Sequence, residues 1–162
     1  MSKNKKGIVG ACAAIAALAL VVGIAVYAEK KNTDETGEDT IGEKYQAAFQ
    51  ASTKKDAAGI AADLVNQNIF QADLAVTEVG PGYLDGFDAE ITGFSKGTKF
   101  SPFIGAIPFI GYVFETDDTS ALVSQLNANA NPTWNICTQA DETVSSSKNN
   151  LVFFMMCTNE KQ

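Results

Sequence analysis

From Gly7 to Ala28 the chain runs for 22 residues without a charge (GIVGACAAIAALALVVGIAVYA), and a stretch of that kind has few ways to avoid water. As a helix it measures about 33 Å at 1.5 Å per residue, enough for a hydrocarbon layer of roughly 30 Å. Lys3, Lys5 and Lys6 precede it, and Glu29, Lys30 and Lys31 follow. The lysine bias keeps residues 1–6 as a cytoplasmic basic stub, makes residues 7–28 a transmembrane helix or signal anchor, and places everything after them outside the cell membrane. The expected protein is therefore single-pass, with its N-terminus cytoplasmic and its C-terminal domain extracytoplasmic. Val26 and Ala28 also offer small residues at positions −3 and −1 of a cut before Glu29, so a secreted domain released after Ala28 is the competing reading. A signal peptide's apolar core, about 7 to 15 residues, is shorter than this run. Val9-Gly10-Ala11-Cys12 imitates a lipobox only loosely, because its cysteine precedes the apolar core. Gly10 and Ala14 are spaced for helix packing, but such pairs arise by chance in a run with eight alanines.

Residues 29–40 (EKKNTDETGEDT) hold almost nothing apolar and read as an acidic flexible tether. Asp34, Glu35, Glu38 and Asp39 are solvated there. Residues 41–162 then form one extracytoplasmic domain.

Chemistry is limited by what is missing. The sequence has no His and no Arg, and its net charge is −7. Without His the commonest general base and transition-metal ligand is gone, which removes Ser-His-Asp, Cys-His, HExxH and Cys/His zinc sites. An acidic chain without Arg repels phosphate backbones, so nucleic acid is not an expected partner. There is no GxxxxGK[ST] and no GxGxxG phosphate loop, and no cofactor is expected.

Hydrophobic periodicity gives the fold. Ile41, Tyr45, Ala48 and Phe49 fall at helical spacing, and a second helix carries Ala57, Ile60, Ala61, Leu64 and Val65 behind a capping-box-like Thr53 and Asp56. Leu74 to Val79 alternates as a strand and stops at Gly80-Pro81-Gly82. Ala89 to Phe94 reads as a further strand, with Gly86, Gly93 and Gly97 at turns. A strand over Phe109 to Glu115 follows Pro108, which lacks the N–H a sheet ladder needs. Thr116-Asp117-Asp118 caps a helix from Thr119 to about Ala128, with Ala121, Leu122, Val123 and Leu126 inward. Strands at Thr133 to Thr138 and Leu151 to Thr158 close the chain around a tip at Ser146-Ser147-Lys148-Asn149, and the last, apolar on both faces, belongs in the sheet interior. The fold class is α+β: an N-terminal transmembrane helix, then about three helices packed on a mostly antiparallel sheet of four to five strands.

Three constellations are candidates for more than structure. Cys137 and Cys157 lie opposite each other if the last hairpin turns around Ser147; a disulfide there would close a loop of about 20 residues and stabilise by about 3 kcal/mol. Two separate buried thiols are the other reading. Asp85, Asp88 and Glu90 offer oxygens in one glycine-containing stretch, but without EF-hand spacing they read as solvated turn carboxylates. Asp85 with Asp117 is the pair a His-free, carboxylate-based hydrolase would use, at a separation of about 5 to 10 Å.

The uncharged segment Phe100 to Phe114 holds a tandem repeat, PFIGAI then PFIGYV. As an interaction edge it would use Pro102, Phe103, Ile104, Ile107 and Pro108 to meet another envelope protein or touch the membrane. The weight of apolar material in a domain this small argues instead for core, for Phe103 and Ile104 together with Phe109, Ile110, Val113 and Phe114, and the same holds for Trp134. The function expected is a non-catalytic binding or structural module of the cell envelope. Its partners are the lipid bilayer through residues 7–28 and another envelope protein.

Overall fold

A computed structural model describes residues 39–159. The expected basic stub and membrane span, the cut after Ala28, Cys12 and the tether up to residue 38 lie outside the described residues. Among the described residues no helix is long and apolar enough to cross a membrane.

The chain enters through α1 (Ile41–Ala51) and α2 (Ala57–Asn66), then β1 (Leu74–Val79), two short strands β2 (Gly82–Tyr83) and β3 (Glu90–Ile91), β4 (Lys96–Pro102), β5 (Ile110–Glu115), α3 (Thr119–Asn129), β6 (Glu142–Lys148) and β7 (Leu151–Cys157). Five strands form one sheet in the order β1-β4-β5-β7-β6, with every neighbouring pair antiparallel. β2 and β3 pair separately.

Each helix starts where its sequence supplies an acceptor for free amide groups. Thr40 and Glu43 form a reciprocal capping box on α1, Asp56 accepts from the Gly59 amide on α2, and Asp118 accepts from Ala121 on α3. Thr53 takes no part in capping α2.

The alternation of β7 assembles both cores. Leu151, Phe153, Met155 and Cys157 face α1 and α2, where Phe153 stacks on Phe49 at 5.4 Å; Val152, Phe154 and Met156 face α3. A strand buried on both faces needs a neighbour on each side, and β7 has β5 and β6. Helices thus cover both faces of the sheet. In α3 only Leu122 and Leu126 are buried, whereas Ala121 is exposed and Val123 half-buried.

Two polar strands escaped the periodicity. β4 (KGTKFSP) extends to Pro102, which pairs with Leu74 at the sheet end, and Gly97 lies within β4 rather than at a turn. β6 (ETVSSSK) forms the sheet edge, and its polar groups are answered by side chains instead of apolar packing. From α1, Gln46 donates to the Ser145 carbonyl and Gln50 to the Ser147 carbonyl. Four residues of helix rise about 6 Å and two residues of strand about 6.6 Å, so the two glutamines match alternate carbonyls. Glu142 accepts from the Gly42 amide (3.1 Å) at the start of α1, and Lys148 donates to the Phe49 and Gln50 carbonyls (3.1 Å each) at its end. The strand therefore sets a negative charge at the positive end of the helix dipole and a positive charge at the negative end.

The expected strand at Thr133 to Thr138 is absent. Asn131 accepts from both the Thr133 amide and hydroxyl, Asn135 accepts from the Cys137 amide, and the amides of Trp134 and Thr138 bond back to Asn131 and Asn135. These local bonds consume the groups a ladder needs. Ala89 to Phe94 likewise contributes only the two residues of β3.

Candidate functional site

The two copies of the tandem repeat have opposite fates. After β4, the first copy turns outward: Phe103 and Ile104 are each 75% exposed, with Gly105 and Ala106 open beside them. The second copy dives. Pro108 is buried, Phe109 stacks on Phe70 at 4.5 Å and meets Tyr45 edge-on, and Ile110 enters the opposite core. The core expectation thus holds for Phe109, Ile110, Val113 and Phe114 and fails for Phe103 and Ile104. Of the expected edge, Pro102 and Ile107 are half-buried.

A second loop, residues 131–140, comes alongside. The Asn135 side chain donates to the Gly105 carbonyl and ties the loops together. Between them lies a groove of about 420 Å³ lined by Pro102, Gly105, Ile107, Trp134, Ile136 and Cys137. Trp134 is half-buried against the α3-side core, but Ile136 is completely exposed. Sequence reading missed Ile136 because its alternation with Trp134 mimics a strand.

This groove sits at the end of the sheet where the chain enters the domain. β4 and β7 end there, and β1, β5 and β6 begin there. The Thr40 hydroxyl donates to Glu142 at 2.6 Å, at the start of β6. Asp141, next to Glu142, accepts from Thr158 and lines a hollow of about 330 Å³ shared with Ala106, Ile107 and Pro108. Of the five large hydrophobic side chains exposed among the described residues, Phe103, Ile104 and Ile136 lie on the two loops at this end, whereas Val76 lies in β1 and Tyr83 in β2.

The cysteines are not brought together. β6 pairs with β7 so that Glu142 faces Cys157, with the turn at Asn149 and Asn150 rather than Ser147. Cys137 is free and exposed in the groove loop; Cys157 is free and buried, near Glu142 at 3.8 Å. Burial pushes the Cys157 thiol well above its ordinary value, and the Glu142 carboxylate adds to the effect.

The acidic candidates are engaged locally. Asp85 pairs with Lys99 at 2.7 Å, Asp88 accepts from Asn131, and no group of three metal-binding side chains occurs among the described residues. Asp117 follows β5 at the far end of the sheet from the groove that Asp85 lines. That far end has the larger hollow, about 590 Å³, with Asp56, Glu78, Lys96 and Glu115 around it. Asp56 is occupied by the Gly59 amide and Glu115 by the Ala57 amide (3.0 Å), so both carboxylates serve the start of α2. No family model, curated protein or solved structure matches the chain.

Proposed function

We propose that the chain is a non-catalytic binding module of the cell envelope, held to the membrane by residues 7–28 and working by contact through the apolar end of its domain. The observation that carries this reading is the gathering of Phe103, Ile104 and Ile136 in water at the same end of the sheet as Thr40, where the chain enters. Exposed apolar groups collected in one place mark contact surfaces, whereas isolated ones do not. The uncharged length of residues 7–28, with lysines ahead of it, supports the anchoring and the extracytoplasmic placement.

The test is photocrosslinking of the full chain in native membranes. A photo-reactive phenylalanine analogue at position 104 should give lipid or protein adducts well above those from the same analogue at position 83, which is exposed in β2 outside the two loops. Equal yields at the two positions refute the reading. Protease added to intact spheroplasts should remove the domain; protection of the domain refutes its placement.

A further inference from the structure

The route of the chain identifies the surface that the apolar end meets. The uncharged run ends at Ala28, and residues 29–40 are all that separate it from α1. Taken as the flexible tether that their composition predicts, twelve residues span about 20 Å root-mean-square, at 5–6 Å times the square root of the length. That tether enters at Thr40, whose hydroxyl bonds Glu142 at the same sheet end as the exposed side chains. A domain held this close by this end presents Phe103, Ile104 and Ile136 toward the membrane surface. Resting on the anchored reading above, we propose that these three side chains sit in the interface of the same bilayer that residues 7–28 span.

The chemistry of the rim specifies the kind of contact. Asp39, Asp73 and Asp141 are exposed near this end, Lys99 is paired with Asp85, and Lys44 is exposed in the first turn of α1. Among the described residues no basic cluster lies at this end, so the contact made by this surface is apolar insertion rather than attraction to anionic headgroups. Three side chains bind a bilayer weakly on their own. The tether raises the effective concentration to about the millimolar range, where weak affinity suffices. Docking in this way fixes the orientation of the domain and turns the hollow at the start of α2 away from the membrane.

Trp134 is the sequence's only tryptophan and lines the groove, so it reports on the docked end without interference from residues 7–28. The full chain is reconstituted in phosphatidylcholine vesicles, with acyl chains brominated near the headgroup or unbrominated, and recovered by flotation. Brominated lipid should quench Trp134, and should quench more strongly a reporter placed by Phe103→Trp in a Trp134→Phe background. A Tyr83→Trp reporter in that background should stay unquenched. Phe103→Ser with Ile104→Ser should abolish quenching of Trp134 at unchanged melting temperature, and high salt should leave the wild-type signal intact. If the chain floats with the vesicles but the reporter at 103 is unquenched, the bilayer is overturned as the occupant and the surface belongs to a protein partner. If the chain stays in the aqueous phase, the anchored reading itself fails.

Discussion

Gly111→Ala, one added methyl group, tests the packing at the middle of the sheet. Gly111 lies in β5 opposite Phe100 of β4, and the Phe100 ring crosses its α-carbon. A β-carbon there would sit 2.5 Å from Cε2 and 2.7 Å from Cε1, and closer still to Cζ. The ring has no room to retreat, because it is fully buried with Tyr45 at 5.9 Å and Phe109 at 6.2 Å. Gly111 is not at positive φ, so the backbone itself accepts alanine. Without the ring, the substitution would stabilise by about 0.4–1 kcal/mol through the unfolded chain. With the ring, overpacking costs about 1–3 kcal/mol, and the confinement puts the expected value near 3. An unfolding entropy of about 2.1 cal/mol/K per residue over roughly 120 residues gives ~0.25 kcal/mol/K, hence a fall in Tm of about 12 °C. The assay is thermal melting of the full chain followed by near-ultraviolet circular dichroism. Phe100→Leu removes the ring at its own cost, and adding Gly111→Ala to it should then be neutral or slightly stabilising, a coupling of about 3 kcal/mol. A Gly111→Ala protein that melts at or above the wild-type temperature refutes the argument, because the two mechanisms differ in sign.

Other perturbations test the remaining contacts. The Tyr45 hydroxyl is buried with no hydrogen-bond partner of good geometry among the described residues, the backbone of Phe70 lying near without completing a bond; Tyr45→Phe should be neutral or stabilise by up to about 1 kcal/mol in urea titration, and clear destabilisation would reveal a missed partner. Burial pushes the Tyr45 phenol up to about 12, so the folded state holds its proton more tightly than the unfolded chain. Stability should be full below pH ~10 and fall as pH rises through about 12, with a shallower fall in Tyr45→Phe. Native alkylation should label Cys137 at once and Cys157 only after unfolding, read by peptide mass spectrometry; a Cys137–Cys157 cystine in non-reduced digests would overturn the observed register. Glu142→Gln, which cannot accept equally from Thr40 and Gly42, and Lys148→Met, which loses its carbonyl contacts, should each cost about 1–2 kcal/mol by urea unfolding; no change in either would remove the charge clamp on α1.

What the letters revealed and what they hid follow from the physics of each element. Helices α1, α2 and α3 and strands β1, β5 and β7 were legible because the feature that buries them, a periodic apolar face with a cap or a turn residue at its end, is local. β4 and β6 were not, since they are held by register and by distant groups: Gln46, Gln50 and Asn127 satisfy the serines and carbonyls of a strand that has one valine. The repeat shows the same limit. Phe103-Ile104 and Phe109-Ile110 have the same letters, and distant partners send the second pair inward: Met156 of β7 opposite Ile110, and Phe70 and Tyr45 against Phe109. For Trp134 and Ile136 the alternation was real, but Pro132 and two asparagines, Asn131 and Asn135, turned the segment into a loop. The edge residues Phe103 and Ile104 were named from the sequence, but their exposure needed the structure, because apolar identity does not distinguish core from contact surface.

The clamp on α1 also orders events in time. The groups that hold its two ends, Glu142 and Lys148, lie about 100 residues further along the chain. A ribosome delivers the helix first and its fasteners last, so Tyr45 meets Phe100 and Phe109 earlier while the two ends of α1 stay unheld until the final hairpin emerges. The last strand pair therefore fastens the first helix, and the domain closes only once its whole length has been made.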